Sequence, residues 1–224
     1  MEQVKTSRRY DASRRREQAR RTQHSVLEAA RQRLLHHGYA DTTVAMIAAD
    51  AGTSVDTIYK TFGGKAGLVR TLWQRDLEGE QPTPAPTRSD QLSKTETDPV
   101  RVLRGWGRFT TELAPRGAPI MLLVRAAAAT DADMAALLVE SEKQRRTRMR
   151  HNARRLQRRG WLRAGITLAE ATDILWTYSS AEVYDLLVLK SGWPVERYGA
   201  FIGDALVAAL LPPAATTVAP ADKP

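Results

Sequence analysis

The sequence predicts an all-α protein: an N-terminal three-helix domain with a helix-turn-helix, then a C-terminal helical domain, about nine helices in all. Three observations predict it. Apolar residues recur at i, i+3, i+4 and i+7 in segment after segment, the spacing of one helical face. No run alternates apolar and polar residues as a half-buried strand does. Two short periodic segments near the N-terminus are joined by a tight turn containing Gly52, which is the helix-turn-helix layout.

Composition narrows the class. A chain of 224 residues, 42% of them hydrophobic, can bury a sizeable core. It has no cysteine, which removes disulfides, thiolate metal sites and cysteine nucleophiles. No apolar run approaches the roughly 18–20 residues that span a bilayer, and the charged N-terminus lacks the apolar stretch of a secretory signal. A cytoplasmic protein with no membrane partner is expected. The net charge is +9, and arginine supplies 27 of the 34 basic residues. Residues 1–75 carry 14 basic and 7 acidic groups, the remainder 20 and 18. A basic head on a nearly neutral body points to a polyanion.

The elements follow in order. Residues 1–21 are Arg-rich and read as a basic, flexible arm, with Arg14, Arg15 and Arg16 as candidate DNA contacts. The DNA-binding domain is expected over 22–75. Val26, Leu27, Ala30, Leu34 and Leu35 line one helical face, and Gly38 supplies a stop. A short element with Val44, Ile47 and Ala48 follows, then a second with Ile58, Tyr59 and Phe62, ended by Gly63 and Gly64. A third helix carries Leu68, Val69, Leu72 and Trp73. Residues 79–98 hold three prolines among polar residues and read as a linker or loop.

The C-terminal domain is expected over 99–211. Asp98 and Pro99 start one helix, Pro119 a short apolar one, Asp131 a long one, Thr167 another through Ser191, and Pro194 the last. The tail 212–224 reads as disordered.

The window 42–73 carries the function. A short first helix can cross the phosphate backbone while a second lies in the major groove, which is wide enough to admit it. Ile47, Ala48, Ile58 and Phe62 would form the core between them. Ser54 can cap the second helix and leave its amides near phosphate. Val55 can pack on a thymine methyl. Asp56 either favours the helix start or accepts from cytosine N4.

Here the sequence resembles the tetracycline-repressor (TetR) family of transcription regulators. The residues that carry the resemblance are Thr43, Ile47, Ala48, Ala51, Gly52, Ser54, Thr57, Ile58, Tyr59, Phe62, Gly63, Lys65 and Leu68, alike in type and spacing. It covers 26–73, and beyond that only the helical layout agrees. The resemblance implies a homodimer that binds a palindromic operator on double-stranded DNA and is released by a small-molecule inducer. It implies phosphate contacts from Thr43 and Lys65, with Thr42 as a further candidate. It also implies base and backbone contacts from Ser54, Thr57, Tyr59 and Lys60. Where the family commonly has Gly, this chain has Asp56.

The resemblance implies a ligand pocket in the C-terminal domain, for which Trp106, Phe109, Thr110, Met121, Arg125, Trp176, Ser179 and Glu182 are the candidates. It also implies dimerisation through the last two helices, with Leu175, Val183, Leu187, Tyr198, Phe201, Ile202 and Leu206 as candidate interface. The run 143–163 holds ten basic residues and no acid; with Leu138, Met149, Ala153 and Leu156 marking an apolar side, it reads as a solvated basic face. The four histidines lie in no metal-binding pattern, and no catalytic or nucleotide motif is present. No metal, cofactor or enzymatic activity is expected. An activator of the same family and a weakly specific architectural DNA binder are the alternatives to a repressor.

Overall fold

A computed structural model of the chain describes residues 3–213, with side chains at Arg14 and from Arg16 onward. The described part consists of ten α-helices and one π-helical turn. In order they are α1 (Gln3–Asp41), α2 (Val44–Asp50), α3 (Val55–Phe62), α4 (Lys65–Glu78), α5 (Ala85–Thr95), α6 (Pro99–Ala127), α7 (Ala132–Arg158), α8 (Leu168–Tyr178), α9 (Ala181–Tyr184), the π-turn (Asp185–Lys190) and α10 (Val195–Leu210). Among the described residues no helix is long and apolar enough to cross a membrane.

The chain divides into two compact units. One holds the chain through Asp76 together with Pro119–Leu138, and the other holds Leu77–Ala118 and the chain from Val139 onward. The first contains the head, α1 to α4. Val26, Leu27, Ala30 and Leu34 of α1 are buried, as are Val44, Ile47 and Ala48 of α2, Ile58 of α3, and Leu68, Val69, Leu72 and Trp73 of α4. That is the apolar set the helical spacing picks out, except for Leu35 of α1, which is 43% exposed. A buried ion pair, Arg31 to Asp76 at 2.5 Å, joins α1 to α4. Arg33 pairs with Asp50 and joins α1 to α2.

The second unit packs around Val102, Leu103 and Trp106 of α6, Ala153 and Leu156 of α7, Leu175 of α8, and Tyr198, Ile202, Leu206 and Leu210 of α10. Helices α6 and α10 approach backbone to backbone. A Cβ on Gly107 would lie 2.4 Å from the Gly199 carbonyl oxygen and 2.6 Å from the Gly203 nitrogen, so this crossing has no room for a side chain. The expected caps form. Thr167 and Glu170 make a reciprocal capping box on α8, Asp98 accepts from the Val100 amide at 2.8 Å, and Asp131 accepts from the Met134 amide at 3.0 Å.

Several expectations are corrected. The segment 79–98 is not a bare linker: it contains α5. Pro84 sits at the N-cap and Pro86 within the first turn of α5, where proline's missing donor is no loss. The helix is then held by arginines of α7 and its C-terminal end, and by its own Arg88. Arg148 and Arg155 of α7 reach Asp90 at 2.9 and 3.2 Å. Arg159 donates to the Lys94 and Glu96 carbonyls at the end of α5, at 2.8 and 2.5 Å. Arg88 pairs with Glu112 at 2.6 Å and lies over the Phe109 ring.

The helices expected from Pro99 and from Pro119 are one helix, α6, which runs through Pro115 and Pro119. The helix expected from 168 to 191 breaks at Ser179 and Ser180 and resumes as α9 and the π-turn. At the N-terminus the basic arm expected over 1–21 is continuous with α1 from Gln3 onward. The expected disordered tail falls on 214–224, outside the described residues.

Candidate nucleic-acid interface

Helices α2 and α3 are two turns each, too short to be stable alone. Caps and shared core residues fix them. Thr43 Oγ1 accepts from the Met46 amide at 3.2 Å, and Ser54 Oγ accepts from the Thr57 amide at 3.1 Å. The turn between them passes through Gly52 at φ +63°, a conformation that disfavours a side chain. Ile47 and Ile58 are both fully buried and hold the two helices together.

Burying Ile58 decides which way α3 faces. Val55, Asp56, Tyr59 and Lys60 point out, with Tyr59 55% exposed. A tyrosine and a valine side by side in solvent, with no cover, form the kind of surface that proteins keep for a partner. Met46 of α2 is also exposed; it was not singled out, because an apolar residue in an apolar stretch carries no sign of facing outward. Lys60 and Asp56 form an exposed pair at 2.7 Å, one helical turn apart. The hydroxyls of Ser54 and Thr57 lie 2.8 Å apart at the start of α3. Ser54, Val55, Asp56, Thr57, Tyr59 and Lys60 thus share one short exposed helix, as their spacing implies.

Two of the expected phosphate contacts look different in place. Thr42 is a correction: it is 1% exposed, and its hydroxyl donates to the Gly38 carbonyl at 2.7 Å, where α1 kinks. It is a structural residue. Lys65 is partly committed. Its ammonium donates to the Tyr39 carbonyl at 2.6 Å and lies 4.0 Å from the centre of the Tyr39 ring. Burial pulls Lys65 below the ordinary lysine value, against the pull of Asp131 and Asp41. The same surroundings push the Tyr39 phenol up to about 12, through burial first and then Asp131. Thr43 remains exposed. Arg14 and Arg16 lie exposed on α1, while the Arg15 side chain lies outside the described ones.

The C-terminal candidates divide. Trp106 is in the core and Phe109 packs against it. Thr110 donates to the Gly107 carbonyl at 2.6 Å. Trp176 donates to Glu142 at 3.1 Å and is flanked by Arg145 and Arg146. Ser179 accepts from Arg145 at 3.0 Å, and Glu182 is half-buried. Met121 and Arg125 belong to the first unit. Of the expected dimer contacts, Leu175, Tyr198, Ile202 and Leu206 are corrected: each is buried in its own unit's core. Val183 and Leu187 pack against that core half-buried, and Phe201 is exposed. Leu186 and Leu189, which lie in the same apolar stretch but outside those candidates, are 56% and 51% exposed. The π-turn changes the register of this helix and swings them outward.

A helix-turn-helix whose second helix turns an aromatic, a cation and capping hydroxyls outward from a buried core has the layout of a motif that reads the major groove. Residues 26–72 match the model of the family described as bacterial regulatory proteins, tetR family. Over these residues the head is similar to the DNA-binding domain of that family. The fold agrees along most of the chain. NalD, the secondary repressor of the MexAB-OprM multidrug efflux pump in Pseudomonas aeruginosa, superposes with a TM-score of 0.67 at 16% identity, over 88% of this chain and 100% of that one. SmeT, the repressor of the Stenotrophomonas maltophilia multidrug efflux pump SmeDEF, superposes at 0.59 and 21% identity, over 85% and 91%. A SmeT–triclosan complex superposes at 0.63 and 21%, over 86% and 92%. Among the curated proteins none matches the chain in sequence.

Proposed function

We propose that the protein is a ligand-responsive transcriptional repressor that acts in the cytoplasm. It binds a palindromic operator as a homodimer and leaves it when a small molecule binds the C-terminal domain. The observation that carries the reading is the exposed face of α3, with Tyr59 and Val55 uncovered beside Ser54, Thr57 and Lys60. Tyr59 and Lys60 would reach bases and backbone in the major groove, and Thr43 and Lys65 the flanking phosphates. Asp56 acts at the helix start, where its charge meets the positive end of the dipole and pairs with Lys60.

Dimerisation is supported by Leu186, Leu189 and Phe201, large apolar side chains left exposed on the π-turn and α10. A two-fold axis places two heads on half-sites about one helical turn apart. Induction needs a ligand that prefers a dimer with the wrong head spacing. The repressor role of NalD and SmeT, and the triclosan complex of SmeT, support repression and small-molecule binding. Trp106, Phe109, Thr110, Trp176, Ser179 and Glu182, all in the second unit, remain the candidates for lining that site.

The test is the double substitution Tyr59→Ala, Lys60→Ala in the full chain. Operator binding is expected to vanish in a gel-shift assay while the dimer persists in analytical ultracentrifugation. Retained binding would place the reading surface elsewhere.

A further inference from the structure

A second surface of the head lies beside α3 and is not part of the expected reading face. An open cleft of about 420 Å³ runs between α1, the C-terminal end of α3, and α4. It is lined by Arg20, Gln23, His24 and Leu27 of α1, Thr61 and Phe62 of α3, and Thr71 and Arg75 of α4. Arg20 and His24 stand one turn apart on α1, and Thr71 and Arg75 one turn apart on α4, so the facing helices each present a cation to the same space.

The chemistry of the lining is one-sided. No carboxylate contributes to it. Three other arginines of α1 are matched: Arg21 with Glu17, Arg31 with Asp76 and Arg33 with Asp50. Arg20 and Arg75 form no ion pair with any described residue. The Thr71 hydroxyl is already used, donating to the Gly67 carbonyl at 2.8 Å. What faces the cleft is therefore two guanidinium forks, an imidazole, an amide and the Thr61 hydroxyl, over the apolar edge of Leu27 and Phe62. Planar forks of this kind match the oxygens of phosphate. The carbonyl end of α3 carries roughly half a negative charge, which two full positive charges outweigh.

We infer that this cleft binds a phosphate-type oxyanion between Arg20 and Arg75. Because Thr61 and Phe62 belong to α3, an occupant touches the reading helix itself, about 12 Å of helix away from the Ser54 end. The oxyanion has two possible sources: a phosphodiester of the DNA backbone beyond the major-groove contact, or a free phosphorylated small molecule.

Two measurements on the full chain distinguish them. In the first, inorganic phosphate is titrated against the ¹⁵N-labelled protein at constant ionic strength, following the Thr61, Thr71 and Arg75 amides. In the second, affinity for a random-sequence 30-base-pair duplex is measured from low to high salt. Both are repeated with Arg20→Gln, with Arg75→Gln, and with Arg150→Gln on α7 as a control for charge alone.

A saturable phosphate response that weakens about tenfold in each cleft variant but not in the control supports the inference with a free anion as source. A duplex salt slope that falls by about one per cleft arginine, and not in the control, supports it with the DNA backbone as source. If phosphate produces no saturable shift at these amides, and the cleft variants match Arg150→Gln in duplex affinity and slope, the inference is overturned. The phosphate arm holds whether or not α3 reads an operator.

Discussion

Arg20 and Arg75 in the head face a cleft without a carboxylate, whereas Arg148 and Arg155 on α7 converge on Asp90, and Arg146 on Asp173. Both regions look alike as strings of basic residues. Of the ten basic residues between 143 and 163, six are engaged within their unit: Arg145, Arg146, Arg148, Arg155, Arg159 and Arg163. Arg159 and Arg163 donate to backbone carbonyls, and only Lys143, Arg150, Arg154 and Arg158 have neither an ion pair nor such a bond to a described residue. The difference shows that a charge run reports a partner only after its internal pairing is known. Apart from Glu142 on α7 itself, the partners lie on or next to α5, α8 and α10, far away in sequence, and those at α5 turn a basic run into the clamp that holds it.

The comparison can be broken first at the head. The double substitution Tyr59→Ala, Lys60→Ala is expected to weaken operator binding by about 100-fold or more in the dimer, as each head loses a base-side and a backbone contact. Arg150→Ala with Arg154→Ala on α7 should leave it unchanged at equal salt. Equal losses in the two gel-shift titrations would mean that net charge, and not α3, drives binding.

The second effect concerns stability. Gly107→Ala places a methyl against the Gly199 and Gly203 backbone. The expected cost is about 1–3 kcal/mol, seen as a fall in Tm of roughly 3–10 °C, with the reading face untouched. An unchanged Tm would show that α6 and α10 can separate freely.

A smaller effect tests the clamp. Burial works against ionisation of Asp90, but Arg148, His151 and Arg155 outweigh it and hold the carboxyl below its usual range. A depressed carboxyl contributes stability above its unfolded value of about 3.9, and that contribution is lost as pH falls through the folded value. Asp90→Asn should therefore cost about 1 kcal/mol or less at neutral pH, since the Asp90 side chain is 40% exposed. Hydrogen exchange in α5 should rise, and the acid-induced rise seen in the parent chain below about pH 4 should be absent.

The smallest effect falls on Asp56. Asp56→Ala frees Lys60 from an exposed pair and removes a negative charge from the reading face. Duplex affinity should rise about threefold without a measurable change in Tm. A loss of preference at a single base pair would instead assign Asp56 a base contact.

How much of this was legible can be traced residue by residue. The head was legible because local chemistry specifies it: Ser54 and Thr43 cap, Gly52 turns, and Ile47, Ala48 and Ile58 recur at core spacing between them. Thr42 was misread because its neighbour Thr43 carries the same hydroxyl, and only the kink at Gly38 decides which one turns inward. Helix α5 was hidden because its sequence is polar and proline-rich. Its stability comes from Arg88, Arg148, Arg155 and Arg159 pairing in space, which spacing along the chain does not reveal. The dimer candidates erred in the same way. Helical periodicity marks Tyr198, Ile202 and Leu206 as one apolar face, but it does not say whether that face meets its own core or a second copy. Leu186 and Leu189 lie on a π-turn, whose spacing departs from that of an α-helix, so α-helical periodicity does not say which of the apolar residues in that stretch face outward.

The central claim is that α3 of a paired head reads DNA sequence. The most direct test is to select bound duplexes from a random pool with the full chain at near-physiological salt and to sequence them. The account predicts an enriched inverted repeat with half-sites about one helical turn apart, lost with Tyr59→Ala, Lys60→Ala. Binding without enrichment, with a steep salt slope that the double variant retains, would contradict it.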